Sequence, residues 1–242
     1  DYRASGTGLF HRGASRIRSM NVLCLGAFSA TVTVILQTAE GTFENRRSIG
    51  LKHNHTLMHL IDSVLTDAGL APSELSVVAC TQGPGSFTAL RIVMAAAKGL
   101  AAGSGSSFIT VPTFDVIGRM YSFFPGIVAP VLDAKRGRFY TALYKHGERV
   151  TDEMDIPPHL LLEQLPASDS VLFVGDDPRE TFASAAEGSC QYIAANRTAL
   201  GPYLIDTAET MYKDNIKSKK EVSPLYVRLS DAEMQRRNEH RS

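Results

Sequence analysis

The sequence predicts an α/β protein of two lobes, each a mixed β-sheet with packed helices, and three observations lead to that class. Short apolar or β-branched runs alternate with segments of helical period. A meander followed by a helix occurs twice along the chain, the pattern of an internal duplication. In the first half a glycine-rich turn, GPGSFT at Gly83 to Thr88, joins a buried strand to an unusually apolar helix. The 242 residues are ample for a sizeable core.

The elements follow in order. Residues 21–27 (NVLCLGA) form a short apolar run suited to a buried strand, and 31–38 (TVTVILQT) is β-branched and partly alternating. Glu40-Gly41 turns the chain into a third strand over 42–48. The period then changes: Leu57, Leu60, Ile61, Val64, Leu65 and Ala68 share one helical face over 56–68, and Gly69 stops it. Residues 76–80 (SVVAC) are the next buried strand, followed by GPGSFT and a helix to about Ala102, with a Gly/Ser link over 103–107. A strand at 108–111 and a helix at 113–121 come next. The second half restarts with strands at 127–133, 138–145 and 149–153. Pro157-Pro158 opens a short helix to about Leu165, 171–174 is one more strand, and helices are expected near 178–187 and 200–213. This divides the chain into a first lobe over 20–107, carrying partner-docking helices, and a second over 108–229 whose last helix packs back on the first. Residues 230–242 are a charged tail.

Composition excludes several function classes. The 25 basic and 25 acidic residues cancel, which argues against a strong electrostatic grip on nucleic acid by this chain alone. Cys24, Cys80 and Cys190 lie far apart with no C-x-x-C pair, as reduced cytoplasmic thiols do and a disulfide framework does not. No apolar stretch approaches the ~18 residues of a membrane span. Residues 1–19 are rich in Arg, Ser and Gly without an apolar centre, so they read as a disordered extension or expression leftover, with the fold beginning near Met20.

The GPGSFT turn carries the most chemistry. Gly83 and Gly85 let backbone approach a ligand, the helix N-terminus favours negative charge, and Ser86 and Thr88 add hydroxyls. These residues, with Asp133, are the candidate nucleotide- or anion-binding set. The turn lacks the Gly-Lys-Ser/Thr ending of a P-loop, so a turn shaped only to pack helix against sheet stays open beside the anion reading. Between Phe87 and Ala102 the only charges are Arg91 and Lys98, seven apart on one narrow stripe. At about 100° per residue the apolar residues sweep roughly 240°, wider than one sheet covers. A second layer of the chain or a partner must cover the rest, and Ala95, Ala96 and Ala97 would let another helix come close. A partner is the favoured reading. Leu57, Met58, Ile61, Leu65, Leu90, Val93, Met94 and Ala97 are the candidate interface, some of them facing their own sheet, so that Val93→Glu or Met94→Glu should abolish association in a folded monomer.

GPGSFT-A-L-R followed by an Ala/Gly-rich helix resembles the GPGSFTGxR signature of the TsaB (YeaZ) family. Three further segments agree in order: His55-Thr56, Asp133-Ala134-Lys135 followed by Arg138-Phe139-Tyr140, and Ser223-Pro224-Leu225-Tyr226-Val227-Arg228. The resemblance implies an actin-like fold of the sugar-kinase/Hsp70 type. It also implies a role in bacterial synthesis of N6-threonylcarbamoyladenosine in tRNA, as a non-catalytic partner of the transferase TsaD, docking through the first two helices. A homodimer in isolation, cooperation with the ATPase TsaE, no resident cofactor but ATP or ADP at a joint site with partners, and tRNA contact only through the complex are implied with it. The chain departs from the family where Gly26-Ala27-Phe28-Ser29 stands for an Asp-Thr-Ala-Thr-like segment, and where Ala89 replaces a glycine. No Gly-Gly adenosine loop appears, and Val174-Gly175-Asp176-Asp177 is its nearest remnant.

Other functions compete with this one. A nucleotide-dependent actin-like enzyme would use Asp133 for metal or phosphate, but Gly26 removes a second carboxylate. His55 and His59 have the spacing of a zinc pair, with Asp62 and Thr66 on their face, but that face is equally a solvated one, and no metal site is expected. A glycoprotease-like hydrolase would use Ser86, for which no histidine–carboxylate set can be assigned, so no catalytic residue is named. Arg136, Arg138 and the run from Lys213 to Lys220 are the candidate tRNA contacts, read more simply as a solvated linker and turn.

Overall fold

Every residue of β1, Val22–Phe28, is buried, as a strand is when it runs mid-sheet with both faces covered. The computed structural model describes residues 20–48, 53–166, 170–176, 182, 190–194, 199–216, 222–225 and 227. β2 (Thr31–Gln37) and β3 (Thr42–Ser48) continue from β1 as an antiparallel meander. β4 (Val77–Gly83) and β5 (Ser107–Pro112) join its other side in parallel, giving the order β3-β2-β1-β4-β5. Leu23, Leu25 and Ala27 face one core with α1 (His53–Asp67) and α2 (Phe87–Ser104). Val22, Cys24 and Phe28 face another with α3 (Thr113–Met120).

The second sheet repeats the plan. β6 (Ile127–Asp133) is central, with β7 (Phe139–Thr141) and β10 (Met154–Ile156) antiparallel on one side. β11 (Val171–Gly175) and β12 (Cys190–Ala194) lie parallel on the other, giving β10-β7-β6-β11-β12. The small strands β8 (Tyr144–Lys145) and β9 (Glu148–Arg149) extend the meander off that path. One core on this sheet holds Leu161 of α4 (Pro158–Gln164), together with Phe182, which stacks on Phe173. The other face shares the middle core with β1, α3 and α5 (Gly201–Lys213). The layers therefore run α1 and α2, first sheet, α3 and α5, second sheet, α4. Two such lobes of identical strand order, with helices between them, make the actin-like architecture.

The lobe boundary expected before Phe108 falls inside β5, which hydrogen-bonds to β4, so the first sheet extends to Pro112. α5 returns to the first lobe, packing on β1, β2 and β5. The strand expected over 138–145 breaks after Thr141, because the Leu143 N–H turns to the Thr151 hydroxyl and the Leu143 carbonyl to the Val150 N–H. His146 and Gly147, both at positive φ, then close a tight β8–β9 hairpin. The strand expected over 149–153 is replaced by β9 and β10. α2 runs past the expected link to Ser104 and stops at Gly105, which takes the left-handed conformation. The helix expected near 178–187 lies outside the described residues except for Phe182, as do the segment 1–19 and the tail 230–242.

The middle layer depends on one close approach. A Cβ on Gly118 of α3 would lie 2.2 Å from Cδ1 of Tyr144, whose ring is fully buried and whose hydroxyl donates to Asp115 at 2.8 Å. Arg149 stacks over the same ring and donates to Asp115 at 2.6 Å. Gly118→Ala is expected to destabilise by about 1–3 kcal/mol, since a packed aromatic held by its hydroxyl cannot retreat. A thermal melt checks it; an unchanged midpoint would refute the tight docking of α3.

Candidate docking face and inter-lobe cleft

α1 and α2 form the outermost layer of the first lobe, so each has an inner face on the sheet and an outer face on solvent. Leu57, Ile61 and Leu65 of α1, and Leu90, Val93, Met94 and Ala97 of α2, are all buried in the lobe's own core. Seven of the eight residues expected at an interface therefore hold the helices to their own sheet, because each sits at the inward turn of an amphipathic stripe. Met58 is the eighth, and it is 56% exposed.

The outer face carries different residues. On α2, Thr88, Arg91, Ala95, Gly99 and Ala102 are exposed and recur every three or four positions, forming one stripe. A Cβ on Gly99 or Gly103 would touch nothing within 4 Å, so the stripe is open above the helix backbone. Among the described side chains of α1, Met58, His59, Asp62, Thr66 and Asp67 are exposed. Ile92, Ala96 and Leu100 are half-buried against the lobe core. The wide apolar arc is thus divided: the sheet takes one part, the flank of the outer layer a second, and Ala95, Gly99 and Ala102 remain outside.

The GPGSFT turn packs closely against the chain's own Leu90 and Leu225. β4 runs into it as far as Gly83, which adopts φ +118 and is joined to Pro84 by a cis peptide. A Cβ at Gly83 would sit 2.9 Å from the carbonyl oxygen of Leu225 and 3.0 Å from Leu90 Cδ1. Glycine is needed there for close packing of this chain on itself. A Cβ at Gly85 would meet the Leu90 side chain at 3.5 Å, while Ser86 and Thr88 are exposed at the start of α2. Ser86 makes no side-chain capping bond, and its carbonyl accepts the Leu90 N–H at 2.9 Å.

Asp133 stands apart from that turn, at the end of β6. Its carboxylate accepts the Lys135 N–H at 2.7 Å and the Lys135 ammonium at 2.5 Å. Partial burial pushes its pKa up, but the Lys135 hydrogen bonds and charge outweigh that and hold it below the ordinary carboxylate value. The turn geometry around it is tight, with Lys135, Arg136 and Gly137 all at positive φ. Sequence reasoning missed the role of Asp176. This carboxylate accepts the Ser29 hydroxyl from the β1–β2 turn of the first lobe and the Asp133 N–H of the second at 3.3 Å. It bridges the lobes where both sheets end. Gly26, where the resemblance implies an aspartate, faces the start of α5: a Cβ there would meet Leu204 Cδ2 at 3.3 Å and Leu200 Cδ1 at 3.8 Å.

Other expected features have simpler places. Arg138 is bound to Asp155 through its Nε at 2.7 Å. Among the described residues no group of three or more His, Cys, Asp or Glu could hold a metal, and the side chain of His55 lies outside them. No described helix is long and apolar enough to cross a membrane. Cys80 is fully buried and its thiol is pushed up to about 12 by that burial.

This chain is 33% identical over 165 residues to the tRNA threonylcarbamoyladenosine biosynthesis protein TsaB of Bacillus subtilis, spanning 65% of this chain and 72% of that one. The chain belongs to the TsaB family. It is also 28% identical to Escherichia coli TsaB, over 47% of this chain and 52% of that protein. A family model described as TsaD, tRNA N6-adenosine threonylcarbamoyltransferase, matches residues 48–165, which contain α1, α2 and the GPGSFT turn. The solved structure of YeaZ from Pseudomonas aeruginosa superposes with a TM-score of 0.71 at 20% identity, over 86% of this chain and 99% of that one, which supports the shared fold.

Proposed function

We propose that this chain is the non-catalytic partner in synthesis of N6-threonylcarbamoyladenosine in tRNA, docking a TsaD-like transferase through the outer face of α1 and α2. The observation that carries the reading is the exposed Thr88–Arg91–Ala95–Gly99–Ala102 stripe on the outermost layer, beside exposed Met58. Small side chains let a partner helix approach the α2 backbone, and Met58 supplies an adaptable apolar contact at the rim. In isolation the same face pairs two copies of the chain. A TsaE-like ATPase acts with the complex, any ATP or ADP binds at a joint site, tRNA is reached through the assembly, and the setting is cytoplasmic.

Two features support a non-catalytic role. Leu204 of α5 and Leu200, its N-cap, cover the position where the resemblance places an aspartate in active relatives, and Asp176 sits between the lobes bound to Ser29 and the Asp133 N–H. The test mixes the chain with its TsaD-like transferase and a TsaE-like ATPase, then measures complex formation and tRNA modification with each component omitted. Ala95→Glu should weaken the complex at least tenfold and separate the isolated pair, while leaving the melt of the monomer within a degree or two, because a charge there meets only solvent in the monomer. Full complex formation by Ala95→Glu would refute the docking face; modification that needs no added chain would refute the accessory role.

A further inference from the structure

We infer that the Val222–Leu225 segment is a strap that fixes α2 for docking, with Lys98 and Gln82 as its positioning residues; this rests on the reading of α2 as the docking helix. The chain comes back to the first lobe after α5, and three hydrogen bonds hold it there. Lys98 Nζ donates to the Val222 carbonyl at 2.5 Å. The Gln82 carbonyl accepts the Leu225 N–H at 2.8 Å, and the Gln82 side-chain amide donates to the Ser223 carbonyl at 3.4 Å. Val222 packs on the core under α1 and α2, and the Leu225 carbonyl closes over Gly83.

The position of these bonds gives them a role beyond tying down a chain end. Lys98 lies on α2 at the flank opposite Ile92 and Ala96, so the strap borders the exposed stripe on one side and the half-buried flank borders it on the other. Gln82 belongs to β4, immediately before the turn that launches α2, so the same four residues grip both the helix and its origin. A stripe of small residues contributes to binding only when the helix backbone is already held at the right height and tilt, since ordering it on contact would cost affinity. Lys98 also spends its charge on a neutral carbonyl of the strap. On the narrow stripe that Arg91 and Lys98 share, Arg91 is exposed and lies over the Phe87 ring, while Lys98 is half-buried under the strap.

The test uses the full chain. Lys98→Met keeps the stem and removes the donor, Lys98→Arg keeps a donor, and Leu225→Pro removes the strap's N–H without touching α2. Amide exchange is followed at Leu90 and through the first turns of α2, and affinity for the TsaD-like transferase is measured by calorimetry. Lys98→Met, which loses a charge-assisted hydrogen bond, and Leu225→Pro, which loses a backbone one, are each expected to speed exchange in α2 and weaken binding on the order of tenfold, with Lys98→Arg retaining both properties of the unaltered chain. Unchanged exchange in α2, or faster exchange with unchanged affinity, would overturn the inference. If the unaltered chain does not bind the transferase, the docking reading fails instead, and exchange in α2 alone then decides whether the strap fixes the helix.

Discussion

Val93→Glu or Met94→Glu is expected to unfold the first lobe, not merely to separate it from a partner. Both side chains are at most 3% exposed and lie in an apolar core with Leu23, Leu25, Leu57 and Ile61. A carboxylate forced into that setting has no partner and no water, which costs about 4 kcal/mol or more. For a chain of this size that corresponds to a melting midpoint lower by about 10 °C or more. Circular dichroism melts of Val93→Glu beside Ala95→Glu make the comparison, since the two positions are two residues apart on opposite faces of one helix. Loss of association by Val93→Glu with an unchanged melt would show that the inner face is free in solution, and the burial described above would be wrong.

That contrast also shows what the sequence could and could not reveal. The periodicity of α2 located the helix and revealed that its apolar arc is too wide for one sheet. It could not rank the parts of the arc, because Val93 and Ala95 look equally apolar until the sheet beneath is placed. Leu90, Val93 and Met94 settle inward, where burial stabilises them most, but Ala89, Ala97 and Ala101 are buried with them while Ile92 and Leu100 stay half-buried, so the rotation of the helix on its sheet decides the faces, not side-chain size. The first sheet was legible strand by strand: β1 and β4 are continuous apolar runs and β2 is β-branched. β12 was missed because Cys190–Ala194 is a half-exposed edge strand whose composition carries no alternation. The break in the meander at Thr141 depends on Thr151, eight residues away from the backbone group it satisfies at Leu143. Gln82, Asp176 and Leu225 were invisible as site residues because their partners are more than 40 positions distant in the chain.

Gly26→Asp is expected to destabilise the protein and to leave it without tight, magnesium-dependent nucleotide binding. Restoring the aspartate of active actin-like relatives would restore function if the rest of that site had survived. The geometry argues otherwise. The new Cβ would already press on Leu204 at 3.3 Å, and the carboxylate beyond it would enter the space of Leu200 and Leu204, both buried in the middle core. An unpaired carboxylate among leucines costs about 3–5 kcal/mol, and α5 would have to lift from β1 to relieve it. The carboxylate at the lobe junction adds to the difficulty, since Asp176 places a negative charge between Ser29 of the first lobe and the Asp133 N–H of the second, which disfavours an anion there. A thermal melt with a titration of Mg-ATP measures both consequences. An undisturbed melt with tight binding would mean that α5 yields readily and that the cleft retains an enzyme's design. A lowered melt with no binding would mean that α5 has taken over the position structurally, leaving the outer helices as the surface through which this lobe acts.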